Sequence, residues 1–298
     1  MRRRLLTALA VGVLLCAIAA DARANYPGRP GRIAVASGLA ESRTYTIQTT
    51  SPGGRGRRTI LALPLVNLFA QGEPVYSPDG ATIAFALDHD IYAVGADGSD
   101  LRRVTSGPEQ DASPTFSPDG TRIAFARVDA GGYDIFSVGL DGTGLTPLTT
   151  ESGNDRDPVW SPRGNLIAFV SQRSGVPSIW LMRPDGSGQR QLAAHFSSGP
   201  RSEAQPEFSP SGGRLIFSRG ADLVSTRIDG GHRRVVSRAG ILIQPVFSPD
   251  GRRIAALEAF RNRKDFDVVV IAADGSRKRT IRRHVANAYG VGWQPIPR

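Results

Sequence analysis

The chain has 298 residues, with 37 lysines and arginines against 27 acids, a formal charge of +10. It has a single cysteine, which excludes a disulfide framework, and a chain of this length can bury its core without such staples. Net charge speaks to solubility and partners rather than fold, and no patch of basic residues interleaved with aromatics argues for nucleic acid.

The first 24 residues read as a secretory signal peptide. Arg2, Arg3 and Arg4 precede an apolar run from Leu5 to Ala20, and Ala22-Arg23-Ala24 supplies a cleavage pattern before Asn25. A retained anchor is the alternative, but a run of about 16 residues is short for a membrane span. Lipid attachment at Cys16 would want a smaller residue than Leu15 before it. The mature chain then holds 33 basic and 26 acidic residues, and every basic residue except Lys264 and Lys278 is arginine. The expected location is periplasmic or secreted, with no membrane span left after signal removal.

Residues 25–298 are expected to form one domain. It opens with strand words at 30–38, 43–54 and 57–63. A recurrent word follows: "VYSPDGATIAFA", "TFSPDGTRIAFA", "VWSPRGNLIAFV", "EFSPSGGRLIFS" and "VFSPDGRRIAAL". Ser117-Pro118-Asp119-Gly120 reads as a type I turn between two strands, with proline presetting φ and glycine taking the left-handed position. The aspartate becomes Arg163 and Ser211 in two copies while the glycine persists, so these aspartates read as turn residues rather than catalytic ones. The prolines fall at 78, 118, 162, 210 and 249, a period near 40 residues, which with strand-type words means propeller blades.

Each repeat predicts four strands. In the second copy they are A at 113–116, B at 122–127, C at 133–139 and D at 145–149. A second turn, Asp-Gly, joins C to D at 97–98, 141–142, 185–186, 229–230 and 274–275. Runs such as "LIAFV" are apolar throughout, as expected of sheets buried on both faces, and this ranks a propeller above a two-sheet sandwich. The last words, 289–298, form a lone A strand in which Trp293-Gln294-Pro295 matches Phe247-Ser248-Pro249. The fold class is therefore all-β: a six-bladed propeller closed by the C-terminal strand pairing with the N-terminal three.

The pattern P-x-[FW]-S-P-D-G-x-x-I-A-F followed by D-I-F/W-x-x-x-x-D-G resembles the WD40-like (PD40) repeat of the TolB family. The resemblance implies a periplasmic protein-binding propeller, here without the N-terminal domain that TolB carries. The repeat also resembles the propellers of prolyl oligopeptidase-type peptidases. Those need a hydrolase domain, and no G-x-S-x-G elbow occurs in the sequence.

The A–B and C–D turns share one edge of every blade, and the B–C and D–A connections share the other. The second set is unequal in length and composition, which is where binding usually lives. Glu73, Asp111, Asp155, Asp157, Glu203, Gln205 and Gln244 precede the A strands near the channel mouth. They read as solvated loop residues rather than a cation ring, because no Ca²⁺-loop spacing is present. His89, His195, His232 and His284 show no metal-ligand spacing. Tyr133, Trp160, Trp180, Phe208 and Trp293 read as blade-to-blade core. The partner-binding candidates are Asp111, Asp155, Asp157, His195, Phe196, Glu203, Arg261, Arg263 and Lys264. The expected function is a non-catalytic monomeric scaffold that binds an envelope or secreted protein, with no cofactor, no metal and no nucleic acid. The alternative is a propeller enzyme or sugar-binding protein using the channel mouth, with or without a bound metal ion.

Overall fold

A computed structural model describes residues 26–39, 44–64, 73–129, 132–192, 202–238, 240–260 and 265–296. The Ser-Pro words close as their chemistry dictates. In each, the glycine N–H donates to the serine carbonyl three residues back, as from Gly80 to Ser77 and Gly120 to Ser117, both 2.9 Å. The aspartate carboxylate accepts from the serine hydroxyl, at 2.6 Å for Asp79 and 2.5 Å for Asp119. All five glycines hold φ between +68° and +73°, the left-handed region that costs other residues.

Each word joins an A strand to a B strand, and the sheets form six four-stranded antiparallel blades. Blade 1 is Val75–Tyr76, Thr82–Leu87, Asp90–Gly95 and Arg102–Arg103. Blade 2 is Gln110–Phe116, Arg122–Asp129, Gly132–Gly139 and Thr146–Pro147. Blade 3 is Asp155–Trp160, Ile167–Ser171, Ser178–Met182 and Arg190–Gln191. Blade 4 is Glu203–Phe208, Arg214–Arg219, Asp222–Arg227 and Arg234–Ser237. Blade 5 is Ile241–Phe247, Arg253–Ala259, Asp265–Ala272 and Arg279–Ala286.

Blade 6 is split across the chain as expected. Its A strand is Ala288–Ile296, and its B, C and D strands are Arg29–Leu39, Thr44–Thr50 and Arg58–Pro64. Ile33 pairs with Trp293, Val35 with Val291 and Arg29 with Ile296.

In blade 2 the B and C strands run to Asp129 and from Gly132, one or two residues beyond the sequence reading, and the A and D strands differ because of proline. The A strand of blade 2 begins at Gln110 rather than 113. Pro114 has no N–H to give the ladder, so the strand bulges between Ala112 and Thr115 and pairing resumes beyond it. The D strand of the same blade shrinks to Thr146–Pro147 for the same reason, with the Leu148 and Thr149 N–H groups still donating to the Ile135 carbonyl.

The core is divided among the interfaces. Among the described residues six apolar clusters form, each between neighbouring blades. The B strands lie at their centre, and Ile83, Ala84, Phe85 and Ala86 are all fully buried. Trp160, Phe208 and Trp293 take the inter-blade positions expected of them. Tyr133 does not. It stands at the start of its C strand and is 37% exposed.

Candidate functional site: the channel mouth and the face of unequal connections

The bulge of blade 2 recurs around the ring. Blades 3, 4 and 5 show the same register shift, between Arg156 and Val159, Ala204 and Glu207, and Ile243 and Val246. In each the residue before the bulged proline has a positive φ: 53° at Ser113, 53° at Asp157, 56° at Gln205 and 54° at Gln244. A non-glycine residue adopts this region at a cost, and one ahead of a proline ordinarily stays extended. The bulge turns these side chains towards the axis, where with Glu73 they line a narrow central cavity of about 90 Å³. That is room for a few water molecules.

Hydrogen bonds link these residues from blade to blade. The Ser113 hydroxyl donates to Asp157 at 3.4 Å, and the Gln205 backbone N–H donates to the Asp157 carboxylate. The Gln244 N–H donates to the Gln205 amide oxygen at 3.0 Å, and the Gln244 side chain bonds Glu73. Gly290 holds the sixth position. A Cβ there would fall 2.5 Å from the Glu73 Cγ, so the glutamate lies across the gap that glycine leaves.

Glu73 and Asp157 both line this cavity and are half-buried. Burial, then the Asp157 charge, pushes the Glu73 carboxyl up to about 8. Burial raises Asp157 as well. Glu207, deeper in the same channel, is raised far above the usual range by burial and then by Glu73. At the turn face Tyr26 plugs the channel, its hydroxyl donating to the Ser117 carbonyl at 3.0 Å. Among the described residues no three His, Cys, Asp or Glu side chains converge as a metal site.

The other acids ahead of the A strands are not solvated, which corrects the sequence reading. Asp111 is 1% exposed and takes a two-pronged ion pair from Arg127, at 2.7 and 2.8 Å. Asp155 is fully buried and paired with Arg173 at 2.5 Å. Glu203 is buried too, accepting from the Ile179 N–H at 3.0 Å; burial raises its carboxyl, with Arg233 and Arg219 nearby pulling it down. Asp111 sits directly across the A–B ladder from Arg127, and Glu203 from Arg219. These carboxylates hold inner strands together and are not open to a partner. His195, Phe196, Arg261, Arg263 and Lys264 lie outside the described residues.

The same face has a cleft that the sequence reading did not single out. It lies between blades 2 and 3, has a volume of about 280 Å³, and opens beside Ser113 and Asp157. Ala112 and Ala126 on blade 2 are too small to fill the space opposite Arg156, whose Nε–H is buried without a hydrogen-bond partner. Tyr133 forms one wall. Its backbone N–H donates to the Asn154 side-chain oxygen at 3.2 Å, and the Asn154 amide donates to Gln172 at 3.3 Å. Two alanines against one arginine were visible in the sequence, but not that they face each other across an interface.

A closed ring of six four-stranded blades around a polar axial channel defines the class, a β-propeller. The TolB beta propeller domain profile matches residues 67–221 and 111–296, and the chain belongs to that family. No curated protein sequence matches it. Among solved structures, TolB from Acinetobacter baumannii superposes with a TM-score of 0.78 at 21% identity, over 89% of this chain and 67% of that one. A chain of the nidogen/laminin complex gives 0.72 at 14% identity, over 90% and 99%. An oligogalacturonate lyase in complex with manganese gives 0.58 at 11% identity, over 88% and 85%. At these identities the likeness is one of fold. Among the described residues no helix is long and apolar enough to cross a membrane.

Proposed function

We propose that the chain is an exported, non-catalytic scaffold that binds another protein of the cell envelope through its face of unequal connections. Membership of the TolB propeller family supports an envelope protein-binding role. The observation that carries the reading to a place is the cleft between blades 2 and 3. An exposed tyrosine beside a partly exposed arginine is the composition of an interface anchor, an apolar body with a directional polar group. Crosslinked capture from an envelope fraction tests it. Tyr133→Ala and Arg156→Ala should each weaken recovery of the captured partner at least about tenfold, the scale of an interface anchor. Asp141→Asn, on the opposite face, should leave it unchanged. Equal loss in all three, or in none, refutes the assignment.

A second reading, chemistry or sugar binding at the channel mouth, draws support from Glu73, whose carboxyl keeps its proton where a general acid needs it. Glu73→Gln separates the two: the scaffold retains its partner, whereas an enzyme loses turnover.

A further inference from the structure

The outer rim of blades 5 and 6 carries an unusual charge arrangement. The D strands of blades 1, 2 and 3 have two residues each, whereas that of blade 5 has eight, Arg279–Ala286. It is preceded by Arg277 and contains Arg279, Arg282 and Arg283. The C–D turn of blade 6 folds onto this strand, since a Cβ on Gly54 would fall 2.5 Å from the Ile281 carbonyl oxygen. That contact brings the run Arg55-Gly56-Arg57-Arg58 alongside. Six of these seven arginines are exposed and Arg282 is half-buried.

Their charges are not matched internally. Lys278 pairs with Glu258 and His284 with Asp265, but none of the seven arginines forms an ion pair with an acid among the described residues. The Arg282 guanidinium is pushed below its usual range by burial and then by the Arg57 charge. Like charges gathered on one edge destabilise the free protein, and an external anion relieves that repulsion.

We propose that the arginine rim of blades 5 and 6 is a docking surface for an anionic phospholipid bilayer. Guanidinium groups match phosphate oxygens in a two-pronged geometry that lysine lacks, and a row of them on an outer rim meets many headgroups at once. Three features favour a bilayer over other polyanions. Residues 55–58 and 277–283 contain no aromatic on which a nucleic-acid base would stack. Two register shifts, between Phe266 and Val268 and between Val268 and Val269, distort the strand's ladder, so its edge is a poor template for an added acidic peptide strand. The rim lies away from the cleft of blades 2 and 3, so a molecule held there keeps that face free.

Co-sedimentation of the full chain with vesicles tests the proposal. Binding is expected to mixed phosphatidylglycerol and phosphatidylcholine vesicles, to weaken as salt rises, and to be lost on pure phosphatidylcholine. Reversing Arg279, Arg282 and Arg283 to glutamate should lower the partition coefficient at least about 100-fold, taking roughly tenfold or a little less per residue. Reversing Arg55, Arg57 and Arg58 should act alike, which keeps the test open if one variant does not fold. A control with Arg102, Arg183 and Arg238 reversed has the same net charge and should lose far less. Equal loss in the control would reduce the effect to net charge and overturn the proposal. So would binding unaffected by either rim variant, or duplex DNA bound more tightly than the vesicles at the same ionic strength.

Discussion

Glu73 is glutamate in name and close to a neutral hydrogen-bonding group in practice. An exposed glutamate releases its proton near pH 4.3, roughly, whereas burial holds the proton on Glu73 up to about pH 8. Between those values the folded chain binds more protons than the unfolded one, so stability falls as pH rises. The contribution is complete below the unfolded value and lost by the folded one. Asp157 and Glu207 shift in the same direction and add to the slope. The thermal midpoint should therefore drop between about pH 5 and about pH 8.5. Glu73→Gln, which keeps the shape and removes the charge, should flatten that drop, and an unaltered pH profile would place the proton elsewhere. Turn aspartates such as Asp97 and Asp274 run the other way, held below the usual carboxylate range by serine hydroxyls and N–H groups. Glu73, Asp157, Gln205 and Gln244 were legible in the sequence as polar residues at the mouth. The inward aim of Asp157, Gln205 and Gln244 was not, because it depends on a left-handed φ that residues before proline seldom adopt. Nor was the pairing of Asp111, whose arginine is sixteen positions away and meets it only across the ladder.

The Asp-Gly turns between C and D show how much an element owes to its neighbour. A turn with positive φ explains the glycine locally, and the sequence shows that much. It does not show that the turns of blades 1, 3 and 5 are pressed against the outer edge of the preceding blade. A Cβ would fall 2.4 Å from the Ile60 carbonyl oxygen at Gly98, 2.4 Å from that of Leu148 at Gly186, and 2.0 Å from that of Val236 at Gly275. Gly144 gives the internal comparison, with φ +66° and nothing within 4 Å of an added Cβ. Gly144→Ala should cost only the backbone term, about 1–2 kcal/mol. Gly275→Ala carries the same term plus a collision with backbone that cannot yield, and should cost clearly more in urea unfolding. Equal costs would show that the turns do not hold the blades in register. The D strands of blades 1, 2 and 3 were the least legible elements, because two residues carry almost no period.

At the scale of the molecule the ring is a sequence of interfaces rather than one core, and the interface that joins the chain's two ends depends on Trp293. Its side chain packs in the cluster between blades 5 and 6 with Ile33, Val246 and Val268, and the Arg253 guanidinium sits 5.1 Å from its ring centre. Trp293→Ala should cost about 3–5 kcal/mol, a large part of the roughly 5–15 kcal/mol usual for a domain, read as a lowered thermal midpoint. Deleting 290–298 should leave a chain that aggregates, and a soluble deletion product with an unchanged transition would contradict closure. Six blades and their closure were legible because the period near 40 repeats and the ends complement each other. The arginine rim was not, since 55–58 and 277–283 are far apart in sequence and meet only because the last blade is shared. That shared blade also sets how the molecule bears tension. Arg29 and Ile296 are antiparallel neighbours at one end of the seam, so a pull on both termini first has to draw Tyr26 out of the channel and then loads the seam's hydrogen bonds singly, from Arg29 inward, in the manner of a zip. Mechanically the ring has a built-in opening point, at the place where the chain's own ends are joined.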